Sequence, residues 1–183
     1  FDDGYIEHHY GLKEDEFVQV EIDRTTLTPN IPIYDRGNEE LGGDFSDLLN
    51  YVGAHDLATP TNYAAVQDRL DTDSFIDFYQ ANIFFANTDW PGNNVRIWRS
   101  VATNRVAGAP PRHDARWRFM LYDTDFGFGL DFVYVPGSSN FAFNDERDFG
   151  TFAQHDTLAF AANADESGAY WSNHPEATML FRR

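Results

Sequence analysis

Four oxygen-bearing side chains flank two apolar segments of the sequence and could carry out chemistry together. Asp89 and Asn94 precede the first segment or stand at its start, and Asp123 and Asp125 follow the second. Carboxylate and amide oxygens are the ligands that hard divalent cations prefer in proteins. If the two segments pair as strands, all four side chains meet at one end of the pair. The residue types therefore predict a divalent-cation site.

The two apolar segments have the alternation of β-strands. The first, 94–99, alternates apolar with polar residues, and the second, 116–122, places Trp117 and every second residue after it on one face. A stretch rich in Pro and Gly, 107–111, interrupts regular structure between them and permits the chain to return. Antiparallel pairing puts the start of the first strand beside the end of the second. The two halves of the cation site are therefore predicted to meet.

The order of the four side chains indicates a reaction. Four residues separate Asp89 from Asn94, as in the kinase catalytic-loop pattern H-R-D-x-x-x-x-N. Asp125 begins an Asp-Phe-Gly triplet, which follows a hairpin in the same enzymes. In kinases the first Asp accepts the proton of the attacking hydroxyl, and the Asn and the later Asp hold the metal ions on the nucleotide phosphates. The combination predicts phosphoryl transfer.

Longer runs of sequence carry a family resemblance. Residues 87–94 read Asn-Thr-Asp-Trp-Pro-Gly-Asn-Asn, and residues 116–127 read Arg-Trp-Arg-Phe-Met-Leu-Tyr-Asp-Thr-Asp-Phe-Gly. With the helical segment 73–82 before them, these runs resemble the CotH spore-coat protein kinase family. The resemblance is specific over roughly 73–130. It implies an atypical protein kinase of a family in which many members are secreted or cell-surface bacterial proteins.

The resemblance also implies a role for each side chain of the site. Asp89 would be the catalytic Asp, while Asn94 with Asp123 or Asp125 would hold Mg²⁺ or Mn²⁺, with Ca²⁺ as an alternative, and through it ATP. Asn87 stands where the common kinase triplet has His. The literal Asp-Phe-Gly favours Asp125, whereas closeness to the strand end favours Asp123, so both are kept as metal candidates.

A helix is predicted to deliver the catalytic Asp. Segment 74–86 has apolar residues at helical spacing, and the polar residues 71–73 offer an N-cap. Because the segment is apolar over most of its circumference, we expect a buried central helix that supports Asp89 rigidly. Trp90, which follows Asp89, is expected to brace the loop by packing rather than to serve as a binding platform.

The other elements are predicted from periodicity and breakers. We expect a strand at 16–22, a loop at 23–43 and a short strand at 130–135, followed by a segment without regular structure at 141–156. One further helix should begin at Asp44 and stop at Gly53, and another should run from Thr61 or Asn62 to Leu70. Together the elements predict an α+β fold. In that fold a kinase-like large lobe, mainly helical, has a small antiparallel hairpin that carries the active-site loops.

The overall composition restricts the partners. With 30 acidic against 13 basic residues, the formal net charge is −17, which disfavours nucleic acids and suits a basic protein substrate. Cysteine is absent, which excludes disulfides and thiolate metal sites. No apolar run in the sequence approaches the about 20 residues that a membrane-spanning helix needs. We therefore expect a protein substrate, no nucleic acid and no membrane span.

We expect residues 1–183 to form one domain of a longer protein. By the resemblance, an N-terminal small lobe and a C-terminal continuation lie outside it, so this stretch alone should be inactive. The single lysine, Lys13, is expected on the surface, and a phosphate-binding Lys would then lie upstream. Two other functions stay open, an acidic surface binding module stabilised by Ca²⁺ and an inactive pseudokinase scaffold. An upstream small lobe would favour the kinase over the binding module, and a turnover assay would separate the kinase from the pseudokinase.

Overall fold

The computed structural model describes residues 4–22, 33–37, 44–87, 90, 94–101, 110, 112–125, 127, 132–134, 141–143 and 158. These residues form an α+β fold, as the sequence predicts. In chain order the elements are α1 (Tyr5–Tyr10), a 3₁₀ helix (Glu14–Glu16), β1 (Phe17–Ile22), β2 (Ile33–Gly37), α2 (Asp44–Ala54), α3 (Pro60–Gln67), α4 (Thr72–Phe85), β3 (Val95–Ser100), β4 (Arg118–Met120), β5 (Phe132–Tyr134) and β6 (Phe141–Phe143).

Four strands form one antiparallel sheet in the order β2-β1-β3-β4. β1 pairs with β3 along its whole length, from Phe17 opposite Ser100 to Ile22 opposite Val95. β3 then pairs with β4, and Ile97 lies opposite one of the apolar residues of that strand. The predicted antiparallel pairing of the two central segments is therefore confirmed. The hairpin they form is part of a wider sheet, because β1 and β2 extend it on the other side.

Other elements cover both faces of the sheet along β3. On one face α2, α3 and α4 contribute to the larger core, to which Val95 and Ile97 also belong. On the opposite face α1 helps to bury Trp98, and the ring of Tyr10 stacks on that indole at 4.8 Å. This double coverage explains why β3 is buried almost throughout, with Arg96 as its one half-buried residue.

α4 has a defined cap at each end and is tied to β4 by a serine. The Asp71 carboxylate accepts a hydrogen bond from the Ser74 amide at 3.3 Å, and Ala86 ends the helix in the left-handed conformation. The Ser74 hydroxyl accepts from the Phe119 N–H at 2.9 Å and donates to the Phe119 carbonyl at 3.1 Å. This link holds the helix alongside the strand that leads to the candidate site.

The packing of α4 differs from the prediction. Phe78 and Tyr79 are buried against the sheet, as their helical spacing predicts. The expectation that the helix is buried over most of its circumference is wrong, because Ile76 is 46% exposed and Phe84 is 77% exposed. These two side chains lie off the stripe that faces the sheet.

Among the described residues, no helix has both the length and the apolar character needed to cross a membrane.

Two strands occur where the sequence predicts loops. β2 lies within the predicted loop 23–43, and its last residue is Gly37. Gly37 has a φ of 91°, and a Cβ there would collide with the Phe17 carbonyl, so this glycine permits the close approach of two paired strands. β6 lies within 141–156 and pairs with β5, which confirms a strand in the predicted segment 130–135.

The two helices before α4 agree with the prediction in position but not in every boundary. α2 begins at Asp44 as predicted and extends one residue beyond Gly53. α3 begins and ends earlier than predicted, which leaves Leu70 outside it and bridged to Trp117. The buried side chains of α2 are the four whose spacing predicts its apolar face, Phe45, Leu48, Leu49 and Val52.

Candidate functional site

The candidate site lies at the end of the sheet where β3 begins and β4 ends. Arg96 is opposite Met120, and the same register continued by two residues sets Asn94 opposite Tyr122. Asp123 follows Tyr122 directly in the chain. The strand pairing therefore brings two of the predicted metal ligands, Asn94 and Asp123, to adjacent ends of neighbouring strands.

Asn94 and Asp123 share an unusual backbone conformation. Their φ angles are 56° and 48°, which is the left-handed region. This region costs most non-glycine residues about 1 kcal/mol or more, and Asn and Asp tolerate it best. Such residues persist where the surrounding structure holds them, often at functional sites. Asn94 is buried and Asp123 is exposed, so the pair lies at the boundary between the core and solvent.

Asp125 lies on the next turn, which contacts the end of α4. The Gly127 N–H donates to the Thr124 carbonyl at 3.0 Å and closes the turn. A Cβ added at Gly127 would lie 3.1 Å from the Cβ of Phe85, the last residue of α4, so a glycine suits this close approach. Asp125 itself is exposed. The third predicted ligand is thus carried by a turn that packs against the helix leading to Asp89.

Two asparagines fix the chain where it leaves α4. The Asn87 side chain donates from Nδ2 to Oδ1 of Asn82 at 2.8 Å, and its backbone N–H donates to the Asn82 carbonyl at 3.0 Å. Asn82 in turn donates from Nδ2 to the Phe78 carbonyl at 3.0 Å. Both asparagines are buried. Asn87, at the position of the kinase His, is therefore an anchor two residues before Asp89.

Trp90 anchors the chain on the other side of the predicted catalytic residue. It is 1% exposed and belongs to the larger core, with its ring centroid 5.1 Å from that of Tyr79 and 6.1 Å from that of Phe78. The prediction that Trp90 packs is confirmed. Asp89 lies outside the described residues, so its closeness to the metal ligands stays a prediction. Its anchored neighbours, however, both belong to the part of the chain held against α4.

A cluster beside the predicted ligands was missed by sequence reasoning. Arg96 Nη2 lies 2.8 Å from Glu21 Oε2, and the Arg96 guanidinium lies over the Tyr122 ring at 4.4 Å from its centroid. The Tyr122 hydroxyl donates to Glu21 Oε1 at 2.6 Å. A signal was present, because Glu21 and Arg96 carry opposite charges within two predicted strands. Recognising it required the β1–β3 register, which sets these two residues opposite each other.

The environment of Tyr122 keeps its hydroxyl protonated. Burial raises the pKa of Tyr122, and the hydrogen bond to Glu21 and the negative charges of Glu21 and Asp123 raise it further, against the opposing charge of Arg96. The hydroxyl therefore remains a hydrogen-bond donor at neutral pH.

The donor atoms at this end of the sheet suit a hard cation. The Asn94 amide and the carboxylates of Asp123 and Asp125 supply oxygen atoms, which Mg²⁺ and Mn²⁺ prefer. Within the described ranges, no group of three or more His, Cys, Asp or Glu residues lies close enough to hold a metal ion. Of the four predicted site residues, Asn94, Asp123 and Asp125 lie within the described ranges. The third carboxylate of the set, Asp89, lies outside them.

A comparison with known families extends over nearly the whole chain. The CotH kinase protein family matches residues 2–183. This match extends well beyond 73–130, the part of the sequence to which the resemblance is specific. No curated protein and no solved structure gives a match. Because the family match includes almost every residue, the chain belongs to the CotH kinase protein family.

Proposed function

We propose that this chain is the large lobe of an ATP- and metal-dependent phosphotransferase, a protein Ser/Thr kinase of the CotH type. The observation that carries the proposal is that Asn94 and Asp123 lie at adjacent strand ends, both with left-handed backbone. Membership of the CotH kinase family supports the same function. Phosphoryl transfer depends mostly on positioning and electrostatic stabilisation, so firmly held oxygen ligands fit this chemistry.

Each side chain of the site has a proposed role. Bound Mg²⁺ or Mn²⁺ supplies charge that neutralises the nucleotide phosphates during transfer. Asn94 holds that cation together with Asp123 and Asp125. Asp89 accepts a hydrogen bond from the substrate Ser or Thr hydroxyl and takes its proton as the oxygen bonds to the γ-phosphorus and ADP leaves. Asn87 and Trp90 are anchored on the two sides of Asp89 in the chain, and on this proposal they limit its freedom.

The proposed substrate is a basic protein. The formal charge of −17 attracts positively charged partners over long range and repels nucleic acids. The exposed carboxylates of Asp123 and Asp125 contribute to this negative charge beside the proposed cation site. A substrate segment rich in Arg or Lys around the Ser or Thr would therefore associate faster than an acidic one.

The test measures phosphate transfer by the full-length protein from ATP to an Arg-rich peptide that contains Ser and Thr, with Mg²⁺ and Mn²⁺ tried separately. Asp89→Ala should lower the rate by about 10²-fold or more, the scale for loss of a positioned general base. Its melting temperature should stay near that of the wild type. Asp68→Ala is the matched control, because Asp68 is an exposed carboxylate in the turn after α3.

Three results would separate the roles. Asn94→Ala should weaken metal-nucleotide binding as well as the rate, because its amide contacts the cation. Full wild-type turnover in Asp89→Ala would contradict the proposed role of Asp89. Nucleotide binding without any turnover by the wild-type protein would instead support an inactive pseudokinase.

A further inference from the structure

Three side chains from three separate segments meet on one face of the sheet next to Asp123. Glu21 lies on β1, Arg96 on β3 and Tyr122 just beyond β4. Their mutual contacts are the 2.8 Å ion pair, the 2.6 Å hydrogen bond and the guanidinium stacked at 4.4 Å on the phenol ring. We call these three residues the brace. It joins residues that are 75 and 101 positions apart in the chain.

The position of the brace on the sheet is set by register. Glu21 and Arg96 are direct partners across β1 and β3. Arg96 is in turn opposite Met120, so Tyr122 is its diagonal neighbour on the same face, within reach of long side chains. α1 and the residues that pack with it cover this face around Trp98. Arg96 of the brace lies two residues before Trp98 on β3, on the side of the candidate site. The brace member Tyr122 directly precedes Asp123 in the chain.

The brace acts on a strained neighbour. Asp123 has a φ of 48°, a conformation that a carboxylate residue adopts at a cost and that persists only where flanking structure holds it. Tyr122 is the residue immediately before it, and both ends of the Tyr122 side chain are held, the ring by Arg96 and the hydroxyl by Glu21. Charge-assisted hydrogen bonds of this kind are stronger than neutral ones. Fixing Tyr122 therefore limits the backbone freedom of Asp123.

We propose that the brace is a positioning cluster that holds Asp123 in the geometry needed to bind the catalytic cation. On this proposal Asp123 sets cation affinity, and Asp125, on the turn against α4, contributes separately. The inference rests on the proposed phosphotransferase function and assigns three residues to it beyond the predicted ligands. None of the three needs to touch the cation or the substrate.

The test measures Mn²⁺ affinity in the presence of ATP, by isothermal titration calorimetry on the full-length protein. Tyr122→Phe keeps the ring under Arg96 and removes the hydroxyl bonded to Glu21. We expect Mn²⁺ affinity to fall by about 10-fold, the scale for loss of a residue that supports a metal ligand. The melting temperature without metal should change little. Arg96→Lys keeps the charge and loses the planar stacking, and its affinity should also fall.

Tyr10→Phe is the matched control on the same face of the sheet. Its ring stacks on Trp98 at 4.8 Å, and Trp98 pairs with Arg118 at the end of β4 away from the predicted ligands. It should retain wild-type Mn²⁺ affinity. A purely structural brace would instead lower the melting temperature of Tyr122→Phe and leave Mn²⁺ affinity unchanged, and that result would overturn the proposal.

A double variant identifies the residue through which the brace acts. Because the brace works through Asp123, adding Tyr122→Phe to Asp123→Asn should cause no further loss of Mn²⁺ affinity. In the Asp125→Asn background it should cause the same loss as in the wild type. Additive losses with Asp123→Asn would overturn the proposal. If the wild-type protein binds no Mn²⁺ in the presence of ATP, the proposed phosphotransferase function itself fails. If the wild type binds Mn²⁺ but the brace variants bind it equally well, only the role of the brace fails.

Discussion

The two ends of the β3–β4 strand pair use charged residues in opposite ways. At the end away from the candidate site, the buried Arg99 forms an ion pair with Asp44, the first residue of α2. Arg118 lies between two carboxylates, with Nε 3.0 Å from Asp71 and Nη2 2.6 Å from Asp114. We call this the paired end. Its carboxylates are neutralised by arginines and cap or connect elements, so they hold the fold together.

The opposite end of the strand pair is formed by Asn94, Asp123 and Asp125, and we call it the open end. Its two carboxylates are exposed, and two of its three residues have left-handed backbone. Carboxylates that remain near solvent beside strained backbone can receive a cation, at some cost in stability. On the proposed function, the carboxylates of the paired end are structural and those of the open end bind the cation, within a chain that has 30 acidic residues. Three substitutions or additions test this separation, from the largest expected effect to the smallest.

The largest effect is expected from opening the paired end. Arg118 is 1% exposed, and Arg118→Met would leave Asp71 and Asp114 without their buried cation. We expect a loss of about 3 kcal/mol in the free energy of unfolding, since breaking one side of a buried ion pair costs that much or more. The measurement is urea unfolding near neutral pH.

Arg116→Met is the matched control for that prediction. Arg116 contacts the same two carboxylates, at 2.8 Å from Asp114 and 3.7 Å from Asp71, but its side chain is 21% exposed. Its loss should cost less, about 1 kcal/mol, because its side chain is more exposed to solvent than that of Arg118. Equal losses for the two variants would contradict the view that burial distinguishes the paired end.

The open end should respond to cations instead. At a Mn²⁺ concentration of about 100 times its dissociation constant with ATP, binding to the folded state alone should add about 2.7 kcal/mol of stability. The melting temperature of the full-length protein should rise accordingly. The Asp123→Asn, Asp125→Asn double variant should lose this rise, while Asp68→Asn should keep it. A wild-type melting temperature that is the same with and without Mn²⁺ and ATP would argue against a metal site.

The central hairpin and α4 were predictable because their signals are local. Strand alternation, the Asp71 cap and the helical spacing of Phe78 and Tyr79 each depend on residues a few positions apart. The same kind of signal failed for Phe84. Its apolar character indicates burial, but the side that faces the sheet is decided by packing against other elements.

The rest of the sheet and the brace could not be predicted, since they depend on distant pairing. Glu21 meets Arg96 only because β1 lies beside β3, a register set by contacts between segments about 75 positions apart. The residue types of the site were readable from a motif. The left-handed backbone of Asn94 and Asp123 was not, because Asn and Asp tolerate several backbone conformations.

The smallest expected effect concerns acid pH and compares one carboxylate from each end. Burial by itself raises the pKa of Asp114, but hydrogen bonds from Arg118 and Arg116 and the charge of Arg118 outweigh it and lower the pKa overall. A folded pKa below the unfolded one stabilises the protein above about pH 4, and this contribution is lost as the pH falls further. Asp114→Asn should therefore be less stable than the wild type near neutral pH. The difference should shrink towards about pH 3.

Asp125→Asn is the comparison at the open end and should behave differently. Asp125 is exposed, and no ion pair to it occurs among the described residues, so its neutralisation removes no stabilising contact of the kind that Asp114 makes. Its urea midpoint should follow that of the wild type across the same pH range, measured without metal. The opposite result is that the urea midpoint of Asp125→Asn approaches that of the wild type on acidification, while the midpoint of Asp114→Asn stays at a constant difference from it. The structural carboxylate would then be at the open end. The assignment of roles to the two ends would then have to be reversed.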